Sequence, residues 1–488
     1  MDNDFQNKNT VTEDKIAEYK AVKSSYSDFG QFEDLNTHSR AESKQRFIDN
    51  VDYVPDYQYP KLKSLKDSEA TVSKKTDVYN AVLELEVARK AADIIGDTSR
   101  SAELQLYRSF HDVRLKKIML AEAAQYLHDT ATSTNQETAR KSFMLMNQEV
   151  YGELNQEWFN GMLSTEYKKA REFQPADTLG ADVSASLGAA LKSFEGSQAK
   201  EPEVLSEDEI QKLHEYVLGR YGHILSELPD TDDETYYDAQ QCAEIINRAL
   251  LAGGLAEEGW TCVINPAKSN PVTNGNQKKI FLPSATRRNA NELKRLIVHE
   301  QEVHARRAQN GKDKNSELLA SGTADYADVE EGAGVMLECA IAGDLSNPSF
   351  NRARERYITA GLALGLDNGS PRDAREVYEI LWRMIAVDSS KDGTMPEILV
   401  EKAKDKAYVH IENAYRGTDF WMKGVIYTKL KVYYEGLVKN GRYFADNIDN
   451  LDVAFDDAMI GKINHTDPDE LKQVKDMIST SLWAHGRQ

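Results

Sequence analysis

Residues 293–311 read LKRLIVHEQEVHARRAQNG, and the rest of the chain takes its meaning from them. Leu293, Leu296, Ile297 and Val303 keep the one-sided spacing of an amphipathic helix. Asn289 and Glu292 supply a capping-box start, in which each side chain reaches the other's backbone N–H. Asn310 and Gly311 mark a stop. Within this helix His299, Glu300 and His304 form HExxxH. These are the residue types of a hydrolytic zinc site: neutral imidazoles hold the metal, and a neighbouring carboxylate takes the proton of the attacking water.

The spacing is unusual. A zinc helix ordinarily places its histidines at i and i+4 on one face, whereas here they stand at i and i+5. On a regular α-helix the extra residue turns the second ring roughly 100° further round. One π-type turn absorbs that residue and returns both rings to one side; such turns recur at functional sites.

A third ligand is expected from residues 328–338, DVEEGAGVMLE, where Glu330 and Glu331 precede Gly332, Ala333 and Gly334. Small residues let this following helix approach the first closely. On its own a histidine pair is equally compatible with ordinary hydrogen-bonded helix residues; the later acids point to a metal.

Together these residues resemble the metallocarboxypeptidase family that includes the microtubule-associated tyrosine carboxypeptidases. In that family an HEIGTH helix, ending in Arg and Asn, precedes an acid-Glu-Gly-Leu-Ala helix. Arg307 and Asn310 fall on the matching positions, while Gln301-Glu302-Val303 replaces Ile-Gly-Thr and Ala333-Gly334 replaces Leu-Ala. The resemblance implies zinc on His299, His304 and Glu331, with Glu300 as general base. It returns later in the chain, where Arg416-Gly417, Lys429, Tyr433 and Gly436 match an Arg-Gly turn followed by Lys-Asp-x-x-Tyr-Leu-x-Gly. There Leu430 and Tyr434 replace the Asp and the Leu. It thus spans about 239–436 and implies release of a C-terminal residue. Such an enzyme must tell a terminal carboxylate from an internal peptide bond, which an Arg or Lys does through charge-assisted hydrogen bonds. Arg416, Lys429 and Arg307 are the candidates. Tyr433 is placed to donate to a developing oxyanion or to line the side-chain pocket.

Composition bounds the setting. The 488 residues fit two or three domains, or one large enzymatic domain with a helical extension. A net charge of −20 argues against nucleic acid or an anionic membrane as partner. Against that background, residues 278–307 carry eight cationic side chains and three acidic ones. This local excess suits a peptide's C-terminus or an acidic tail, or is simply a solvated face. No apolar run approaches the roughly 20 residues that span a bilayer. The first residues, MDNDFQNKNT, do not read as a leader, so a cytoplasmic location is expected. Cys242, Cys262 and Cys339 are odd in number and widely spaced, which speaks for small buried residues and against a disulfide framework.

Along the chain, residues 1–75 read as a polar arm, extended or disordered, with short helices at most. Residues 76–173 have helical periodicity. Residues 174–205 are rich in Ala, Gly and Ser and read as a linker. Residues 206–488 form the expected catalytic domain. Two strand-like runs, 260–264 and 279–282, precede the metal helix, and an edge strand there would hold an extended substrate. The fold expected is mainly α with a small β-sheet, an α+β zincin-like metallopeptidase with a helical N-terminal region. The function expected is that of a zinc carboxypeptidase acting on peptide or protein C-termini. Alternatives are an endo- or aminopeptidase on the same metal helix, or a catalytically altered metal-binding scaffold of that fold.

Overall fold

The computed structural model describes residues 40–55, 69–130, 134–229, 234–268, 270–415 and 418–485. It is mainly helical, with one three-stranded sheet. The first helices are α1 Arg40–Asp49, α2 Glu69–Ile95, α3 Thr98–Asp129, α4 Gln136–Tyr151, α5 Gln156–Glu172, α6 Thr178–Ala190, α7 Glu207–Leu225 and α8 Ala239–Ala252. Then come β1 Thr261–Ile264, β2 Val272–Asn274 and β3 Lys279–Leu282. After the sheet the chain is helical again, through α9 Ala290–Ile297, a π-helix Val298–Ala305, α10 Arg306–Asp313, α11 Glu317–Ser321, α12 Tyr326–Ala342 and α13 Pro348–Leu364. It closes with α14 Ala374–Ser389, α15 Glu397–Tyr415, α16 Val432–Asp446, α17 Leu451–Ala458 and α18 Pro468–His485. No described helix is long and apolar enough to cross a membrane.

The N-terminal arm holds a short helix of the kind expected, its residues 1–39 and 56–68 lying outside the described residues, and one other stretch differs from expectation. In the N-terminal arm, α1 buries Phe47 to 1% exposure. Its ring stands edge-on to Tyr378 and Phe420, at 5.2 and 5.9 Å between centroids. The Arg375 guanidinium lies 3.6 Å above it and donates to the carbonyls of Phe47 and Asn50. One aromatic residue thus seats an otherwise polar segment. Residues 174–205, expected as a linker, hold α6, whose Val183 and Leu187 join the main core together with Leu191 and Phe194. Asp177 caps α6 through Gly180 N at 2.6 Å and also accepts from Met395 N at 2.7 Å. Here the small residues serve close packing: a Cβ on Gly180 would stand 2.9 Å from the Gly393 carbonyl.

The sheet has the order β1-β3-β2, with β1 parallel and β2 antiparallel to β3. The outer strand β1 and the central strand β3 correspond to the expected runs. β2 is an addition, lying between Pro271 and Gly275 as an edge strand that pairs Thr273 with Ile280. This edge lies against the π-helix.

The histidine helix begins as expected, with Asn289 and Glu292 capping one another at 2.9 and 3.1 Å. It does not stop at Gly311. A Cβ there would meet Ala320 N at 2.3 Å, so this glycine permits the close turn into α11. Asn310 Nδ2 instead ties the helix to the Met459 carbonyl at 2.7 Å. All three cysteines are free and buried.

Candidate metal centre

Between α9 and α10 the backbone widens into the π-helix Val298–Ala305, which contains both histidines. The wider turn absorbs the fifth residue of the spacing. The two rings lie 5.0 Å apart between centroids. From α12, Glu331 enters the same space, so that one donor atom each of His299, His304 and Glu331 lies within 4.8 Å of the others.

What aims the rings is a pair of carboxylates behind them. His299 Nδ1 is 2.6 Å from Glu338 Oε1, and His304 Nδ1 is 2.6 Å from Glu330 Oε1. With Nδ1 occupied on both rings, Nε2 is the nitrogen turned to the shared space, and that of His299 lies 3.9 Å from Glu331 Oε2. A carboxylate on the far nitrogen fixes the ring and its tautomer, the usual arrangement behind a metal-bound imidazole. Glu338 is held in turn by the Ser349 hydroxyl. Glu330, 2% exposed, also accepts from Lys462 Nζ at 2.6 Å and Arg307 Nη1 at 3.4 Å. Of the two adjacent glutamates, Glu330 is therefore committed to the support and Glu331 faces the space.

Glycines set these approaches. A Cβ on Gly334 would lie 2.6 Å from His299 Cε1, so the ring fills the place an alanine would take. A Cβ on Gly332 would meet the Gly436 carbonyl carbon at 2.0 Å, so α12 and α16 cross there backbone against backbone. That crossing brings in Tyr433. The charge of Glu331, then burial, push its hydroxyl up to about 12 against the opposing Arg356.

Glu300 lies on the same π-turn and is 8% exposed. Thr273 on the edge strand donates its hydroxyl to Glu300 Oε2 at 2.7 Å. Burial lowers the proton affinity of His299, but the Glu338 contact and charge, followed by Glu300 and Glu331, outweigh it and raise the pKa to about 9. Glu330 moves the other way: burial alone would raise it, yet Lys462, His304 and Arg307 hold it far below the usual carboxylate range. Glu338, Glu300 and Glu331 thus place an excess of negative charge around the imidazole.

The other sequence candidates separate. Arg307 is fully buried, with Nε on the Gly461 carbonyl at 2.8 Å and Nη2 on the Ile463 carbonyl at 2.5 Å. It fastens the 461–463 segment beneath Glu330 and does not face a substrate, which corrects its expected role. Lys429 is exposed on the turn Thr428–Lys431, and its charge reaches Lys117 of α3. Arg416 lies outside the described residues. The altered positions of the histidine helix point away from the centre, whereas Gly334 lies against the His299 ring. Gln301 bonds the Ala249 carbonyl at 3.0 Å, Glu302 pairs with Arg306 at 3.1 Å, and Val303 is fully buried. Sequence reading missed Glu338, Ser349 and Thr273; the one available signal was that Glu338 ends the same helix face as Glu331, two turns on.

Residues 198–363 match the family model of the microtubule-associated tyrosine carboxypeptidase. That segment is related to those carboxypeptidases. It runs from the residues before α7 through α13 and includes the triad, Glu300, Glu330, Glu338 and Thr273. It begins earlier than residue 239 and ends before the Arg416–Gly436 stretch. No curated protein and no solved structure matches the chain.

Proposed function

We propose that this chain is a zinc-dependent carboxypeptidase of zincin-like architecture, removing a C-terminal residue from a peptide or protein. The observation that carries the reading is the triad itself: an i, i+5 histidine pair brought to one point by a π-turn, with Glu331 within 4.8 Å. The family match of residues 198–363 supplies the reaction class. Two imidazole nitrogens and one carboxylate make a three-ligand set, which leaves a coordination position open as catalytic zinc sites do. Bound there, zinc supplies a Lewis acid for the scissile carbonyl.

The chain's own residues do the rest. Glu300 takes the proton of the attacking water and delivers it to the leaving amine, with Thr273 fixing the carboxylate. Tyr433 stays protonated at neutral pH, since its hydroxyl is raised to about 12, and donates to the oxyanion as it develops. The free edge of β2 beside the π-helix gives an extended peptide a backbone to pair with.

Elemental analysis of the wild type beside His304→Ala, without chelator, tests the site. The expected result is near one zinc per chain, lost in the variant. Glu300→Gln is expected to keep the metal and to lose hydrolysis by about 10²- to 10⁴-fold. Unchanged hydrolysis in that variant overturns the mechanism, and zinc neither present nor taken up overturns the site. Cleavage of peptides with an amidated C-terminus would make the enzyme an endo- or aminopeptidase.

A further inference from the structure

Beside Tyr433 stands an arginine whose side chain the described protein leaves incompletely answered. Arg356, on α13, is partly buried, and its Nε has no hydrogen-bond partner although it is shielded from solvent. A buried donor without an acceptor is costly, and a charged one more so. Its guanidinium carbon lies 4.0 Å over the Tyr433 ring, a cation–π contact that holds the group against the ring. Tyr433 is carried by α16, whose Gly436 backbone crosses α12 at Gly332, next to Glu331. Arg356 is thus packed on a ring that belongs to the crossing beside the triad's carboxylate.

The neighbouring charges leave a place for an anion. Arg352 precedes Arg356 by one helical turn, and like charges at that spacing destabilise a helix unless something answers them. Two of the nearby acids are already engaged, and Glu331 belongs to the triad. Glu338 is held by His299 and Ser349, and Glu355 by Lys406 at 2.6 Å and His410 at 2.9 Å. Arg307 is committed to buried carbonyls, and the intervening Arg354 leaves the helix on the other side.

We propose that Arg356 receives the terminal carboxylate of the peptide substrate, with the Tyr433 ring as the platform that orients its guanidinium. The proposal rests on the peptidase reading for the identity of the ligand. It makes Arg356 the residue that distinguishes a chain end from an internal peptide bond, because a planar guanidinium meets a carboxylate through two parallel hydrogen bonds and an amide offers no such charge.

Binding tests this apart from turnover. In the Glu300→Gln background, a fluorescein-labelled peptide pool varied at its last residue is titrated as free acid and as C-terminal amide, with fluorescence anisotropy as the readout. The free acid is expected to bind more tightly. Arg356→Gln should weaken the free acid by about 10- to 150-fold while leaving the amide, the zinc content and the far-UV circular dichroism unchanged. Arg356→Lys should recover part of the loss, since it keeps the charge without the fork. A preference for the free acid that survives Arg356→Gln overturns the proposal, as does no preference in the parent. Turnover of the same pool with Glu300 intact reads the peptidase assignment separately. Hydrolysis with undiminished preference in Arg356→Gln removes the anchor alone, and an Arg356-dependent binding preference without hydrolysis removes the peptidase reading alone.

Discussion

Arg354 and Arg356 sit two residues apart on α13 and leave it roughly 200° round from one another. On one side, Arg354 is answered at every nitrogen: Nε and Nη2 reach Glu201 at 2.8 and 2.6 Å, Nη1 reaches Glu166 at 2.6 Å, and Nη2 also meets the Met162 carbonyl at 3.1 Å. On the other side, Arg356 keeps an unanswered Nε, and beyond it two imidazoles are held from behind so that their free nitrogens converge with Glu331. Both clusters are buried charge built on helices. The first answers every nitrogen of its arginine, leaves only Glu166 Oε2 over, and ties α5 and the segment before α7 to α13. The second leaves valence open toward one point, and open valence at a supported point is what a ligand site requires.

That contrast can be broken from the closed side first, where the effect on stability is largest. Arg354 is 8% exposed and Glu166 fully buried, so Arg354→Ala leaves a buried carboxylate with Lys169 Nζ, 3.0 Å away, as its one remaining ion-pair partner among the described residues. Removing one partner of such a pair costs about 3–5 kcal/mol, and denaturant unfolding should show the midpoint falling accordingly. A loss below about 1 kcal/mol would place the pair in the class of solvated surface contacts and void the comparison.

The open side should answer in metal affinity instead. Glu338→Ala removes the carboxylate behind His299 and frees its ring to turn. Outer partners of this kind typically change metal affinity by about 10- to 100-fold, which competition with a chelator of known zinc affinity would read. The side chain is 14% exposed, so global stability is measured alongside. Unchanged zinc affinity at native stability would mean that packing against Gly334, 2.6 Å from the ring for an added Cβ, orients His299 without the acid.

The two sides were unequally legible from sequence. The triad was readable because its signal is local: HExxxH fixes two ligands, the i, i+5 interval calls for one extra residue per turn, and Glu331-Gly332 lies on the next long helix. The strand runs 261–264 and 279–282 were readable from their apolar residues, and most helices from their periodicity. What stayed hidden depends on chain segments far apart in sequence. Glu338 lies within the apolar run of α12 and acquires its role only when α9 and the π-helix cross that helix. Arg307 has the charge of a substrate anchor, yet the 461–463 carbonyls claim it. Residues 174–205 show why composition alone misleads: small residues mark a flexible linker or a tightly packed helix, and the partner surface decides between them. β2 was missed because Pro271 and Asn274-Gly275 read as turn residues around a run too short to show alternation.

That missed strand carries the finest contact of the open side, and with it the smallest expected effect. Thr273 donates to Glu300 Oε2 at 2.7 Å and to the Glu300 backbone carbonyl at 3.1 Å, joining the edge strand to the proposed general base. In the proposed mechanism this contact orients the carboxylate, which makes Thr273 a positioning residue. Thr273→Val keeps the shape of the side chain and removes the donor. A hydrogen bond to a charged group of this kind contributes about 1.5 kcal/mol, so kcat should fall by about tenfold with KM, zinc content and unfolding midpoint unchanged. Thr273→Ser, which restores the hydroxyl, should recover most of the rate. If Thr273→Val lowers only stability, or if Ser fails to rescue it, the strand supports the helix mechanically and the base is oriented by the π-turn alone.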